Sequence, residues 1–493
     1  MSFMPDPSVS SDLSSETNLA GQAALLESQQ AISEEVGMSS PVADGGNAPS
    51  PSTSTDPRAA SSGASLRWNF SWTFVGNIIY SACQWAILVV LAKVGKNPEM
   101  VGQYGLAMAI ATPILALSSL QLRAVLTTDV KEKVPFGEYL GFRLATTAIS
   151  LLIIGAIPFV MHYRRDSTLV VLIIGLGQAI ETLADLYWGR MQFYDHMDRI
   201  AKSMIARGVL GLAALGATVY LTKSVVWGAF ALVLARGIVL IGYDMSKHAQ
   251  LLPRHADHAE AEAILADKKR ALRPLWNWNT QSELFRTSIV LGVIAMLVSL
   301  MPNMPRYFIQ GSLGERALGI FTATAFLVSS GSLIVNALGQ SAFVRLAKHY
   351  GTGDVAGFNS LLFKLLGIAA ALGLAGIAVA VFFGHLLLTL LYRPEYAEHT
   401  DVLIAMMVGG AMTYVSGMMA SAVTSARCFA RQIPVLALAV GSAALASYLL
   451  VPKYGLLGGA FAVIITSTVL TAGEVVLLWY ILSNVNRLTE AEG

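Results

Sequence analysis

The chain of 493 residues is 55% hydrophobic and only 13% charged, whereas a soluble domain carries about 25% charged residues. This composition excludes an ordinary water-soluble protein and indicates a chain that spans a lipid bilayer. The formal net charge of +2, with no basic residues gathered on one face, excludes a nucleic-acid partner. No Gly-rich phosphate loop ending in Gly-Lys-Ser/Thr occurs, so we do not expect an ATPase. We expect a transporter rather than an enzyme.

The first 66 residues differ from the rest of the chain. They are rich in Ser, Pro and Ala, and the first 65 contain eight acidic residues against one basic residue, Arg58. Such a segment buries too little apolar surface to offset the entropy cost of ordering. It also lacks the basic start and the apolar run of a signal peptide. We therefore expect residues 1–66 to form a disordered cytoplasmic tail.

Apolar stretches then follow one another almost to the end of the chain. A helix needs about 20 mostly apolar residues to cross the hydrocarbon core of a bilayer, and twelve segments meet this requirement. The sequence therefore predicts an all-α membrane protein with about 12 transmembrane helices. The predicted spans are residues 70–92, 101–120, 142–161, 168–188, 204–222, 225–243, 287–309, 317–340, 361–384, 401–424, 433–451 and 456–482.

The charges of the loops predict which side each loop faces. Cytoplasmic loops are enriched in Lys and Arg. With the amino terminus inside, 23 basic residues fall on the inner side and nine on the outer side, while Arg236 lies within a span. A missed helix would scramble this alternation, so the bias favours an even number of spans with both termini in the cytoplasm.

Two short sequence matches indicate an internal repeat. The residues Gly228-Ala-Phe-Ala231 recur as Gly459-Ala-Phe-Ala462, each after an outer turn that contains a Lys. Similarly, Val101-Gly102 opens the second predicted span and Leu318-Gly319 opens the eighth. Both matches keep their order and topology, which chance rarely preserves. Six spans per repeat give two halves of the same orientation, related by an axis along the membrane normal.

The predicted domains follow from this repeat. The connector contains an acidic and then basic stretch, residues 259–273, that is typical of a short amphipathic helix. The segments are the tail (1–66), an N-terminal six-helix bundle (67–243), the cytoplasmic connector (244–286), a C-terminal six-helix bundle (287–483) and a second cytoplasmic tail (484–493).

Residues 68–485 resemble polysaccharide biosynthesis flippases of the Wzx type, which belong to the multidrug/oligosaccharidyl-lipid/polysaccharide (MOP) exporter superfamily. The resemblance is an overall pattern rather than a catalytic signature. It is carried by Asn77 and Gln84-Trp85, by residues 101–113, by Leu120-Gln-Leu-Arg123 before Thr128-Asp129, and by Pro305-Arg-Tyr-Phe308 before Leu318-Gly-Ile-Phe321.

The resemblance implies a function and a location. It implies alternating access between two six-helix bundles in a bacterial inner membrane, with an undecaprenyl-pyrophosphate-linked repeat unit as the cargo for exopolysaccharide, capsule or O-antigen synthesis. Membrane lipids, a polysaccharide polymerase and a chain-length regulator are the implied partners. The only cofactor that we expect is a coupling ion, either a proton or sodium.

Flipping such a lipid requires cations and hydrogen-bonding groups in the cavity, because a sugar and a pyrophosphate must be kept out of hydrocarbon. Arg236 stands within the sixth span among apolar residues, where a charge costs about 2.5 to 3.5 kcal/mol. It can face the cavity as a substrate-binding cation, or it can be the structural partner of Glu181, Asp185 or a backbone carbonyl. Both roles stay open from the sequence.

Three acidic residues within the spans are candidates for ion coupling. Glu181 and Asp185 are four residues apart and so share one face of the fourth span, and Glu474 lies in the twelfth. These acids can carry coupling protons, or they can neutralise Arg236.

Polar residues recur at helical spacing in two spans. They form either a wall that contacts sugar or a set of hydrogen bonds between helices. The residues are Asn77, Ser81 and Gln84 in the first span, and Ser329, Ser332, Asn336 and Gln340 in the eighth.

Proline residues predict local breaks in two spans. Pro302 and Pro305 are expected to break the seventh span near its outer end, and Pro113 to kink the second. Beside the first break, Arg306 can meet phosphate at the outer exit or can extend its side chain to the membrane surface.

No metal site is predicted. The histidines of the connector, His248, His255 and His258, lack a second ligand pair with fixed spacing and are expected in a solvated linker. The two cysteines, Cys83 and Cys428, are expected to be small apolar fillers.

Two other functions compete with the flippase. A multidrug and toxin exporter of the same superfamily carries cationic cargo and would favour acidic groups in its cavity. A membrane polymerase or ligase of polysaccharides would hold catalytic groups in a large outer loop, but every predicted outer loop is short.

Overall fold

The computed structural model describes residues 57–95, 97–129, 134–248, 273–426 and 429–492. Within these ranges the regular secondary structure is entirely helical. The predicted tail up to residue 56, most of the predicted amphipathic helix, His255, His258 and Cys428 lie outside the described residues. The terms inner and outer below refer to the sides that the loop charges predict.

The first half of the chain forms a bundle of six long helices. The first helix begins within the segment predicted as a tail, because its start contains several Ala residues, which favour a helix, and no Pro after Pro57. The helices are α1 (Pro57–Val94), α2 (Glu99–Ser119), the short α3 (Leu122–Thr128), α4 (Phe136–Val160), α5 (Arg165–Phe193), α6 (Met197–Thr222) and α7 (Val225–Val239).

The second half repeats this arrangement. A 3-10 turn, Met301–Asn303, joins its first two helices. The helices are α8 (Trp278–Leu300), α9 (Met304–Gly351), α10 (Val355–Leu391), the short α11 (Pro394–Ala397), α12 (Thr400–Ser425), α13 (Phe429–Tyr454) and α14 (Leu456–Glu492).

Eleven helical runs in the described residues are long and apolar enough to cross a membrane, and one of them contains two crossings. The run Trp278–Gly351 has 74 residues, which at 1.5 Å per residue would be about 110 Å long against a hydrocarbon core of about 30 Å. It folds back at Gly314, whose φ of 81° is outside the helical region. The twelve predicted spans are therefore all present.

The 3-10 turn confirms the predicted break near Pro302 and Pro305. Neither proline has a backbone N–H to donate, so the helix cannot continue unchanged through this point. The side chain of Asn303 donates to the carbonyl of Ser299 at 2.7 Å and accepts from Arg306 Nη1 at 2.9 Å. Asn303 thus links the end of α8 to the start of α9 across the turn. Pro113, by contrast, lies inside α2 without ending it.

Several helices extend further at their inner ends than the apolar runs indicated. The helix α6 begins at Met197 rather than near residue 204, and α7 continues as a π-helical turn, Leu240–Met245. This turn brings Asp244, which the sequence placed at the start of the connector, into the N-terminal bundle with no exposed surface. Charged residues that looked like loop residues are therefore buried.

The two halves meet at their outer ends through a pair of glycines. A Cβ atom on Gly102 would overlap the carbonyl oxygen of Glu315, and one on Gly319 would overlap the carbonyl oxygen of Pro98. Each overlapped carbonyl belongs to the residue four positions before the opposite glycine. This reciprocity is the mark of a two-fold relation. The two-fold axis thus passes between α2 and α9 at Gly102 and Gly319, which are the glycines of the second repeat match.

On the side of α1 and α9 the halves separate toward their inner ends, whereas α8 stays packed against the inner end of α2, where Gly292 approaches Leu120. Residues 101–107 of α2 and 318–324 of α9 are all buried, whereas between residues 329 and 345 of α9 only Val335, Gly339 and Ala342 are buried. In α1, Gly76 is the one buried residue between positions 74 and 82. The same helices therefore have neighbours on every side at the outer end and lack them at the inner end. We infer from this difference an inward-open cleft between the inner halves of α1 and α9.

We predict that Gly102→Ala and Gly319→Ala each open the outer end. The added methyl group needs the space of a backbone carbonyl, and overpacking of this kind costs about 1 to 3 kcal/mol. Spin labels on Asn97 and Glu398, which are exposed at the outer ends of opposite halves, should move apart in double electron–electron resonance. Labelling requires replacement of Cys83 and Cys428 by Ser.

Gly155→Ala and Gly216→Ala are the matched controls. A Cβ atom at these positions would have its nearest contact at 3.7 and 3.8 Å, which is an ordinary van der Waals distance. Unchanged label distances in both Gly102→Ala and Gly319→Ala would contradict the assignment of this crossing as the outer closure.

Candidate functional site

A network of ion pairs occupies the inner half of the N-terminal bundle. Its centre is Glu181 of α5, whose carboxylate oxygens lie 3.1 Å from Arg236 Nε and 3.2 Å from Arg207 Nη1. Arg236 and Arg207 are 2% and 1% exposed. A buried carboxylate shared by two guanidinium groups keeps each charge paired, which burial in a bilayer requires.

Asp244 completes the pairing of Arg207. The guanidinium of Arg207 forms a salt bridge with the Asp244 carboxylate, and both side chains are fully buried. Trp188 Nε1 donates to Asp244 Oδ1 at 3.4 Å and to Ser203 Oγ at 3.1 Å, and the Trp188 ring covers the Arg207 guanidinium at 5.3 Å. The π-helical turn that contains Asp244 makes this contact possible, and such turns are frequent at functional sites.

Tyr80 and Gln84 connect the network to the cleft. The hydroxyl of Tyr80 donates to Glu181 Oε1 at 3.2 Å, and Gln84 Nε2 donates to that hydroxyl at 3.1 Å. Arg236 Nη2 in turn donates to Gln84 Oε1 at 3.4 Å. Tyr80 and Gln84 are half-buried, and the Glu181 side chain keeps 14% of its exposure. These three side chains are the edge of the network that faces the cleft.

A second ion pair lies closer to the inner surface. Arg123 of α3 and Asp185 of α5 are 3.0 Å apart, with side chains that are 32% and 37% exposed. Arg123 also donates through Nε and Nη2 to Gln192 Oε1, at 3.1 and 2.8 Å. Glu181 and Asp185 share one helix face, as predicted, but each pairs with different arginines.

The polar residues of α9 lie on the opposite wall of the cleft. Ser329, Asn336 and Gln340 are exposed and Ser332 is half-buried, all on one face of the inner half of α9. On α1, Asn77 is exposed near the inner end. Asn336 and Gln340 are thus exposed on the inner half of α9, and Gln84 lies at the edge of the ion network.

The remaining predicted residues lie apart from this network. Arg306 is half-buried beside the 3-10 turn, where it bonds to Asn303. Glu474 of α14 is 5% exposed, and its Oε2 atom has no hydrogen-bond partner among the described residues. No group of three or more His, Cys, Asp or Glu residues that could hold a metal was found within the described parts of the chain.

The sequence did not identify Tyr80, Arg207 or Asp244 as members of the site. Arg207 was counted with the basic residues of the inner side, although it lies near the start of the predicted span 204–222, and Asp244 was placed in the connector because the apolar run ended at residue 243. The spacing of residues along α6 could have identified Arg207. Arg207 follows Ser203 by four residues in a continuous helix, so the pair lies on one face.

The outer end is held by a carboxylate that the sequence also missed. Glu315 of α9 is 7% exposed. It accepts from Gln103 Nε2 of α2 at 2.8 Å and from the hydroxyl of Ser167 of α5, while Arg164 Nη1 lies 3.9 Å away. Because all three partners belong to the N-terminal bundle, Glu315 ties the second half of the chain to the first.

Comparisons with known proteins agree with this architecture. No family model matches the sequence. The chain is 25% identical over 404 residues to the capsular polysaccharide biosynthesis protein CapF of Staphylococcus aureus, a match that covers 81% of this chain and 96% of that protein.

Two solved structures have the same fold. One is a multidrug resistance transporter of the MATE family and the MOP superfamily in an inward-facing conformation, with a TM-score of 0.65 and 13% identity over 85% of this chain and 100% of the other. The other is a MOP superfamily transporter from Pyrococcus furiosus, described as having a binding pocket of reverse polarity that suggests a different function. Its TM-score is 0.56, with 14% identity over 86% of this chain and 96% of the other. The fold that the sequence predicted, that of the MOP exporters, is confirmed.

We predict that Glu181→Gln destabilises the protein and that Arg236→Gln partly suppresses the loss. The single substitution removes the negative charge from between two buried guanidinium groups, and breaking a buried pair costs about 3 kcal/mol or more. In the double variant only Arg207 remains, and Asp244 still pairs with it.

Thermal unfolding monitored by fluorescence-detected size exclusion would measure both variants. Lys202→Gln, with the companion variant Asp198→Asn, is the control, because that pair is exposed and adds little stability. An unchanged midpoint for Glu181→Gln would show that the network has no structural role.

We also predict that Gln103→Glu opens the outer end and that adding Glu315→Gln closes it again. Two carboxylates 2.8 Å apart repel each other, whereas the exchanged pair restores one amide and one carboxylate at the same position. The distance between labels on Asn97 and Glu398 would report the opening. An outer end that stays open in the double variant would contradict the pairing.

Proposed function

We propose that this multi-pass membrane protein, which has the fold of MOP superfamily transporters, is a flippase for lipid-linked oligosaccharides in a bacterial inner membrane. Its cargo would be an undecaprenyl-pyrophosphate-linked repeat unit for exopolysaccharide, capsule or O-antigen synthesis, moved by alternating access. The observation that carries the proposal is the inward-open cleft with neutral hydrogen-bonding groups on the α9 wall and no free carboxylate on the described opposite wall.

The α9 wall suits a sugar. Ser329, Asn336 and Gln340 offer donors and acceptors without a fixed charge, and they lie in the part of α9 that has lost its neighbours. Each hydroxyl of a sugar can both donate and accept, so amide and hydroxyl side chains match it well. A repeat unit could enter this cleft from the inner leaflet without leaving its hydroxyl groups unpaired.

The cleft also has a side on which a lipid tail could remain in the bilayer. The helix α8 packs along α2, where Gly292 approaches Leu120, whereas α1 touches α9 only slightly. The inner halves of α1 and α9 are accordingly exposed. A polyprenyl chain could lie between these two helices while its sugar occupies the cleft.

The ion-pair network around Glu181 disfavours a multidrug and toxin exporter that carries cations. An exporter of that kind needs a carboxylate that can face its cargo, but Glu181, Asp185 and Asp244 are all paired with arginines. Glu474 has no ion-pair partner in the described residues, but it is only 5% exposed. Arg236 is a structural partner of Glu181 in this inward-open arrangement. Its contact with Gln84 keeps it one side chain away from the cleft, so it can still contribute positive potential to an anionic cargo.

Coupling to an ion would involve an acid that is not already neutralised by a base. Among the three candidates, Glu474 is the one without an ion-pair partner in the described residues, since Glu181 and Asp185 are bonded to arginines. We therefore propose Glu474 as the first residue to test for coupling to a proton or sodium. A polysaccharide polymerase and a chain-length regulator are the proposed partners for the exported units.

Deletion of the gene should leave lipid-linked repeat units on the cytoplasmic leaflet, with polymer absent outside. The double variant Asn336→Ala and Gln340→Ala should reproduce this phenotype at normal abundance, with flipping reduced about tenfold, because it removes the amide groups of the α9 wall. Quantification of lipid-linked units and of surface polymer would measure both effects.

Ser330→Ala with Ser341→Ala is the matched control. Both serines are exposed on a different face of α9, beside Ile334, and each bonds to a carbonyl of its own helix. Normal polymer in the deletion strain, together with lost drug resistance, would contradict the flippase and favour the exporter.

A further inference from the structure

A short strap leads into the second half of the chain and is fixed to the N-terminal bundle. The strap is residues 273–277, which directly precede α8. The backbone N–H of Leu275 donates to the carbonyl of Gly137 at 2.9 Å, and the backbone N–H of Asn277 donates to Glu138 Oε2 at 3.1 Å. Glu138 itself is only 6% exposed. The strap is therefore bound to α4 through its own backbone, which leaves its side chains available.

Two glycines of α4 form the groove in which the strap lies. Gly137 and Gly141 are four residues apart and therefore share one helix face. A Cβ atom on Gly137 would overlap the carbonyl oxygen of Arg273, and one on Gly141 would overlap the carbonyl oxygen of Leu275. The attachment continues into α8, because Leu284 is buried in the apolar core of the N-terminal bundle. The strap and the start of α8 thus have a fixed position on the first half of the chain.

The side chains of this fixed segment are apolar and exposed. Leu275, Trp276 and Trp278 are 40%, 62% and 81% exposed. Phe285 follows Trp278 by two helical turns on the same face of α8 and is 47% exposed. Tryptophan is enriched at the interfaces of a bilayer, where its ring lies among the head groups. At the inner end of α8, the two tryptophans are therefore held at the head groups of the inner leaflet, with Phe285 nearer the hydrocarbon.

The charges in this part of the sequence have a single sign. Residues 268–278 contain four basic residues and no acidic residue. The basic residues are Lys268, Lys269, Arg270 and Arg273. Arg273 is exposed, whereas the carboxylate of Glu138 is buried and already bonded to the strap. Basic residues next to exposed aromatic side chains bind the surface of a bilayer that contains anionic lipid. A zwitterionic surface would accommodate the tryptophans equally well but would leave the four bases without counter-charges.

We propose that residues 268–278 are a binding site for anionic phospholipid of the inner leaflet. The basic side chains meet the head-group phosphates, and Trp276 and Trp278 lie between neighbouring head groups. Because the backbone of the strap is already held by α4, binding orders little of the protein, which favours affinity. The bound lipid in turn holds the start of α8 against the N-terminal bundle. The site lies on α4 and α8, whereas the cleft lies between α1 and α9, so it is independent of the cargo and of the proposed function.

Titration of the full-length protein with phosphatidylglycerol or phosphatidylcholine, followed by native mass spectrometry, would test the proposal. The unmodified protein should bind its first phosphatidylglycerol at least tenfold more tightly than phosphatidylcholine. Replacement of all four bases by Gln should remove this preference, because each base near an anionic surface contributes about fivefold in affinity. The control is Lys348→Gln with Lys364→Gln, which removes two exposed bases at the inner end of the other half and should leave the preference unchanged.

The fixed position of the strap makes a separate prediction. Gly141→Ala should weaken phosphatidylglycerol binding about tenfold although every base remains, because the added methyl group displaces the strap from α4. Gly155→Ala in the same helix is the matched control, since its Cβ atom would have its nearest contact at 3.7 Å. Phosphatidylglycerol should also raise the unfolding temperature of the unmodified protein. It should not raise that of the variant without the four bases, which should unfold normally in phosphatidylcholine.

Three results would overturn the proposal. Equal affinity of the unmodified protein for the two lipids would leave the tryptophans as anchors without a preference for charge. An unchanged preference in the variant without the four bases would place the lipid elsewhere on the protein. Removal of residues 2–56, the acidic part of the predicted tail, should leave lipid binding unchanged. A gain of fivefold or more on this removal would show that the tail, rather than lipid, occupies the basic segment.

Discussion

The crossing of Gly102 and Gly319 is the contact on which the arrangement of the two halves depends. Neither position has room for a Cβ atom, because each glycine faces a backbone carbonyl of the other half. Small residues allow helices in a bilayer to approach this closely, where van der Waals packing and interhelical hydrogen bonds hold them together. Glu315 adds a buried polar tie at the same end. With the outer ends held together, the halves can separate only toward the inside, which produces the inward-open cleft.

The two walls of the cleft share a fold but differ in chemistry. In the N-terminal wall, Glu181 and Asp244 are buried together with arginines, so the charges form pairs within the protein rather than with solvent. The described inner part of α9 supplies neutral groups, including Asn336 and Gln340. A network of ion pairs contributes electrostatic potential and rigidity. Uncharged groups can change hydrogen-bond partners from water to a sugar at little cost in free energy. This chemical difference between the two walls suits a cargo with an anionic group at one end and hydroxyl groups at the other.

Sequence reasoning succeeded where one helix at a time was sufficient. The apolar runs predicted twelve spans, and the prolines at 302 and 305 predicted the break that the 3-10 turn confirms. It failed where a residue's environment depends on another helix. Arg207 was counted only as an inner-side base and Asp244 was placed in the connector, because hydropathy falls near a charge although the helix itself continues. Glu315 gave no signal at all, since nothing local distinguishes it from other charges beside a turn.

The sequence by itself determined the membrane class, the number of spans and the repeat, because bilayer thickness fixes the length of an apolar helix and a repeat leaves matching residues at equal spacing. It also reduced the role of Arg236 to two alternatives. Only the tertiary structure decided that Arg236 pairs with Glu181, that Gly102 meets Gly319, and that no group in the described parts of the chain bonds to the Arg143 guanidinium. The physical reason is that the role of a charged side chain in a bilayer depends on its partner on the neighbouring helix, and that partner is remote in sequence.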